Sequence, residues 1–87
     1  MSQLNLDDYN QLVINTADSF AERHKIKTCI CKHLKTGKLY FTIGKPVIEC
    51  TNGFEENTHK VIYSDGIRMY CREEAEFNQK FEFIIDV

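Results

Sequence analysis

The hydrophobic period of this chain changes once, at Ile26, and that single change limits the folds open to it. Before it, in LDDYNQLVINTADSFAERH, the residues Tyr9, Leu12, Val13, Thr16, Ala17, Phe20, Ala21 and His24 follow i, i+3, i+4, i+7 spacing, which gathers them on one side of a helix. Asn5 stands where a capping side chain is needed. Asp7 and Asp8 suit the positive end of the helix dipole, and Arg23, His24 and Lys25 suit its negative end. The spacing predicts a helix over residues 6–24. After Ile26 the period is two: Ile26, Thr28, Ile30 and Leu34 alternate with Lys27, Cys29, Cys31 and His33, as in a strand.

Strand signals continue to the end of the chain. KTGK reads as a turn and KLYFTI as a second strand, ended by Gly44-Lys45-Pro46 because proline donates no ladder hydrogen bond. PVIECT reads as a short third strand and NGFEEN as a polar loop. HKVIYSDGIRMYC reads as a hairpin about Asp65-Gly66, a pair suited to the positive φ of a tight turn. REEAEFNQ suits a turn of helix, and KFEFIIDV a last strand with Phe81, Phe83 and Ile85 facing one way. One helix followed by five or six short antiparallel strands is an α+β layout. The expected architecture is the N-terminal helix packed on a small, strongly curved antiparallel sheet or barrel. Its 87 residues form a single domain over 1–87, helical over 1–25 and antiparallel β over 26–87, with no room for a second core.

The chain lacks a secretory leader pattern, and no apolar run approaches the roughly 20 residues that span a bilayer. The expected setting is the cytoplasm, with the four cysteines as free thiols and no membrane partner. Cys29, Cys31 and His33 alternate along one strand, where same-side neighbours lie about 6.6 Å apart and the outer pair about 13 Å. Zinc needs donor atoms about 4 Å from one another, so one strand cannot offer all three. The expected role of Cys29, Cys31, Cys50 and Cys71 is packing, with no metal, no cofactor and no catalytic residue. Gly37 and Gly44-Lys45 are too far apart for a phosphate loop, and Pro46 stands where serine or threonine would be needed.

The net charge of −2 is unevenly spread: residues 1–22 carry four acids and no base, and residues 23–45 carry seven bases and no acid. Lys27, Lys32, Lys35 and Lys38, with Tyr40 among them, are candidates for phosphate contact and base stacking. The competing reading is a solvated strand face whose lysines guard an edge. Glu73, Glu74 and Glu76 read as a solvated helical turn.

HLKTGKLYFTI, HKVIY and IRMYCREEAEF together resemble a small bacterial and phage domain family of unknown function. Its pattern runs His-x-Lys-Gly-x-x-Tyr, then Val-x-Tyr, then an arginine with a phenylalanine five residues on. His33, Lys35, Gly37 and Tyr40 match the first block with Thr36 as an extra residue; Val61 and Tyr63 match the second, and Arg72 and Phe77 the third. Glu73 replaces the family's usual proline. The resemblance covers about residues 32–83 and implies an SH3-like β fold and a bacterial or phage origin, with no activity attached.

The expected function is a non-enzymatic protein–protein interaction or inhibitor module, acting on a host protein if phage-encoded. Tyr40, Phe54, Tyr63 and Tyr70 are its candidate aromatic anchors. Two alternatives stand beside it. One is nucleic-acid binding through the basic 23–45 segment. The other is a homo-oligomer that sequesters a nucleotide-like ligand, with Arg68 or Arg72 on its phosphate and a tyrosine on its base.

Overall fold

A computed structural model describes residues 5–48 and 59–84. Cys50, Phe54, Ile85, the NGFEEN loop and the end of the third strand lie outside the described residues. Helix α1 spans Leu6–His24, as its spacing predicts. The Asn5 side chain accepts from the Asp8 amide at 2.8 Å, and Lys25 closes the other end in the left-handed region. The buried stripe is rotated slightly from the expected one. Val13 and Ala17 are buried and Tyr9, Ile14 and Phe20 pack beside them, whereas Leu12 is about half exposed. Ile14 turns inward because the sheet lies on that side.

Strands β1 (Thr28–His33), β2 (Leu39–Ile43), β3 (Val47–Ile48), β4 (His59–Ser64), β5 (Met69–Glu73) and β6 (Phe81–Phe83) form one antiparallel sheet. Helix α2 (Glu74–Lys80) links β5 to β6. β2 and β3 pair in turn with the two halves of β4, so the Gly44-Lys45-Pro46 break is a corner within one strand path. Gly44 has φ +69°, which glycine alone adopts freely. The sheet thus runs β5-β4-β2/β3-β1-β6 and curls strongly into a half-barrel, with α2 clasping its two end strands together.

Each face of the sheet has its own core. On the outer face Leu39, Phe41, Ile30 and Ile43 meet α1. On the inner face Cys31, Val61, Tyr63, Phe77 and Phe81 pack together, with Tyr40 and Tyr70 against them. The acidic residues of α1 stay exposed, so the helix docks through its apolar stripe rather than by pairing with the lysines. One polar tether assists: the Asn10 side chain donates to the Gly37 carbonyl at 3.1 Å and accepts from the Leu39 amide at 2.9 Å. Replacing Asn10 with alanine leaves both half-buried backbone groups unpaired, an expected loss of about 1–3 kcal/mol in urea unfolding. An unchanged midpoint would show that water replaces the tether.

The β4–β5 hairpin differs from the tight two-residue turn expected. Ser64 pairs with Met69, leaving a four-residue loop from Asp65 to Arg68. Asp65 Oδ1 accepts from the Ile67 and Arg68 amides, and Ser64 Oγ accepts from the Gly66 amide and donates to the Arg68 carbonyl. Four side-chain bonds make the longer loop as determinate as a tight turn. Among the described residues, no helix is long and apolar enough to cross a membrane.

Candidate functional site

The strand registers place Tyr40, Tyr63, Tyr70, Arg72, His33 and Phe81 on the inner face, where they line one cleft of about 190 Å³. Tyr63 is its buried floor and stacks on Tyr70 at 5.3 Å between ring centroids. Tyr40 stands edge-on to Tyr63, Tyr70 and Phe81 at 5.6, 6.1 and 5.5 Å. The three tyrosines expected as anchors form one packed aromatic group, with Tyr63 buried and Tyr40 and Tyr70 half-buried. Burial raises the hydroxyl pKa of both Tyr40 and Tyr70, and Asp65 adds to each. They stay protonated and able to donate.

Arg72 sits at the mouth. Its Nε donates to the Tyr63 hydroxyl at 3.2 Å and its Nη1 to Glu76 at 2.7 Å, while the guanidinium carbon lies 5.9 Å from the Phe81 ring centre. Nη2 has no partner among the described residues. Across from it His33 packs edge-on against Phe81 at 4.9 Å, and its Nδ1 is buried without a hydrogen bond. Desolvation, then the charges of Arg72, Lys80 and Lys35, lower the His33 pKa below the ordinary imidazole value. The His33 ring thus sits desolvated and within the field of three positive charges.

Among the described residues Asp65 is the one acid hydrogen-bonded to a tyrosine of the group, accepting from the Tyr70 hydroxyl at 3.2 Å. Burial alone would raise its carboxyl; bonds from the Arg68 and Ile67 amides and from Tyr70 outweigh that and hold it below the usual range. Its charge is thus committed to the loop. Arg68 contributes backbone groups to that loop and does not line the cleft.

The lysines do not form one stripe. Lys32 lies on the outer face, 3.1 Å from Glu82. Lys38 stands 5.6 Å above the Tyr9 ring, close to the His33 end of the hairpin. Lys27 precedes the opposite end of β1, about 20 Å away along the strand. There, with Lys45, it borders a second cavity of about 260 Å³ lined by Cys29, Thr42, Val61 and Phe83.

The cysteines divide. Cys31 is fully buried, and burial pushes its thiol up to about 12, too high for a thiolate nucleophile at neutral pH. Cys29 is half-buried and Cys71 is exposed, so among the described cysteines core packing describes Cys31 alone. Among the described residues, no three histidine, cysteine or acidic side chains converge as metal ligands would. Glu74 lies 3.7 Å from His59 and Glu76 holds Arg72, so the acids of α2 do more than meet solvent.

Three features of this cleft escape a reading along the chain: the burial of Tyr63, the unpaired His33 nitrogen and the Asp65–Tyr70 bond. Of the residues singled out by the family resemblance, His33, Tyr40, Tyr63 and Arg72 line the cleft and Val61 and Phe77 pack behind it. No family model, no curated protein and no solved structure matches this chain.

Proposed function

We propose that this chain binds a small anionic molecule with a planar ring, of nucleotide type, in the aromatic cleft. The convergence of an arginine with one free guanidinium nitrogen and an unpaired imidazole on a tyrosine group carries this reading. A guanidinium fork suits phosphate or carboxylate oxygens, and aromatic edges and faces suit a flat ring. The cleft volume is below the roughly 300 Å³ of a pocket that encloses a whole small molecule. It therefore takes one part, the ring or the anion, and the remainder lies over the rim toward Lys35 and Lys80. Binding without catalysis fits the high Cys31 pKa, which removes the nucleophile nearest the cleft. A protein partner on the exposed Ile67 and Met69 side chains is a second reading, favoured by their exposure.

The test is calorimetric titration with adenosine and guanosine monophosphates against the bare nucleosides. Binding of a monophosphate, with the nucleoside weaker by about 10-fold or more, is the expected result. A bound anion raises the His33 pKa from its lowered value, so complex formation takes up a proton and affinity rises as pH falls from neutrality toward 6. Neither heat nor thermal stabilisation with any of the four ligands would defeat the proposal. Affinity that falls with acidification would place the anion away from His33.

A further inference from the structure

The inner face of the half-barrel has a second opening besides the tyrosine cleft. Cys29, Thr42, Val61 and Phe83 line a cavity of about 260 Å³ there, and none of them lines the cleft. Phe77 stands between the two: its ring stacks on Phe81 at 4.4 Å and tilts against Phe83 at 5.9 Å. The walls of the cavity are apolar. Their one hydroxyl, Thr42 Oγ1, accepts from the Cys29 amide at 3.2 Å and donates to the Cys29 carbonyl at 3.5 Å, so its proton is already committed. The space exceeds the roughly 150 Å³ that holds a benzene ring, and Phe83 on its wall is half exposed.

Charge at the mouth selects the occupant. The Gly44 amide donates to the Lys27 carbonyl at 2.9 Å, which fixes Lys27 beside the Gly44-Lys45-Pro46 corner. Two exposed ammonium side chains, Lys27 and Lys45, are thus anchored side by side at the rim, and neither has an ionic partner among the described residues. The rim also carries the exposed Asn78 amide and one acid, Glu74, which lies 3.7 Å from His59. Neighbouring like charges repel, and an anion between them removes that repulsion. An apolar hollow under a pair of cations matches a molecule with a hydrocarbon tail and one anionic head. A bare phosphate would leave the hollow empty, and a neutral hydrocarbon would leave the ammonium groups unmatched. The volume, below the roughly 300 Å³ of a pocket for a whole small molecule, keeps the tail short.

We infer that this cavity binds a short-chain carboxylate, its tail among Cys29, Thr42, Val61 and Phe83 and its carboxylate between Lys27 and Lys45. The site is separate from the tyrosine cleft and stands whether or not that cleft takes a nucleotide. Burial of the tail drives binding, so affinity rises about 4-fold for each methylene that enters and stops rising once the cavity is full. The exposed ammonium groups orient the ligand and add a smaller share of the affinity.

Calorimetric titration of the full chain with straight-chain carboxylates from butanoate to decanoate, each below its micelle-forming concentration, tests it. Affinity should climb about 4-fold per methylene and then level, and octanol should bind more weakly than octanoate. The double variant Lys27→Gln/Lys45→Gln should weaken octanoate by roughly 3- to 30-fold and leave octanol unchanged. Saturating octanoate should slow the alkylation of Cys29 by iodoacetamide, read by peptide mass, by about 10-fold or more. Cys71, exposed and outside the cavity, should react at its usual rate and serves as the internal control. Arg72→Gln should bind octanoate as the parent does, and adenosine monophosphate should not compete with it. No binding at any chain length, affinity that ignores chain length or the two lysines, or an unprotected Cys29 overturns the proposal. Competition by the monophosphate would merge the two sites and overturn it as well. A chain that binds octanoate and no nucleotide supports this site and defeats the cleft reading.

Discussion

Phe77→Ala should lower the stability of this chain by about 3–5 kcal/mol, the usual cost of emptying a buried phenylalanine site. Phe77 is 1% exposed, lies 6° from parallel to Phe81 at 4.4 Å, and meets the Tyr63 ring edge at 5.3 Å. It is also the one buried residue of α2, so the apolar hold of that helix on the half-barrel rests on this ring. An 87-residue domain has roughly 4–13 kcal/mol in hand. The variant should therefore melt on the order of 15–30 °C lower, and near its lower bound it will not fold. Phe77→Leu, which keeps most of the volume, should lose far less and serves as the folded control. A Phe77→Ala protein within about 1 kcal/mol of the parent would mean that the site collapses around the cavity. The clasp would then owe little to this ring.

Arg72→Gln should weaken a phosphate-bearing ligand by about 10- to 100-fold while leaving the nucleoside nearly unchanged, because charge-assisted hydrogen bonds are worth about 1.5–3 kcal/mol. The comparison isolates the anion from the ring. Arg72→Lys keeps the charge but not the fork that spans Tyr63, Glu76 and the free nitrogen, so it should recover only part of the loss. Both variants also free the Tyr63 hydroxyl, so thermal melts must accompany the titrations. Equal affinity for the monophosphate in parent and Arg72→Gln would remove Arg72 from the site.

What could be read along the chain was what repeats along the chain. The helix was legible to its ends because its spacing, its Asn5 cap and its terminal charges agree. The strands were legible from alternation, and Gly66 marked the hairpin, although the four-residue loop depends on Ser64 and Asp65 side chains that no periodicity reports. The cleft was only half legible. Tyr40, Tyr63, Tyr70 and Arg72 stood out as residue types, but their meeting depends on registers that couple β1 to β2, β2 to β4 and β4 to β5. His33 was visible as a member of an alternating Cys-Cys-His row and of the resembling pattern, whereas its neighbours Arg72 and Lys80 stand about forty residues on and reach it only through the fold. The placement of the lysines was illegible for the same reason: an extended strand spreads them over both faces and about 20 Å of length.

The two cores differ in how much of the chain must exist before they can form. The outer one draws on Val13, Ala17, Leu39 and Phe41, all supplied by the first half of the sequence. The inner one needs Phe77 and Phe81, and β1 gains its second neighbour only when Phe81–Phe83 arrives. During synthesis, then, a helix and hairpin can dock early while the tyrosine-lined side waits, open and wet, for α2 and β6 to follow. A chain cut before α2 would keep its first core and lose the surface on which the proposed ligand depends.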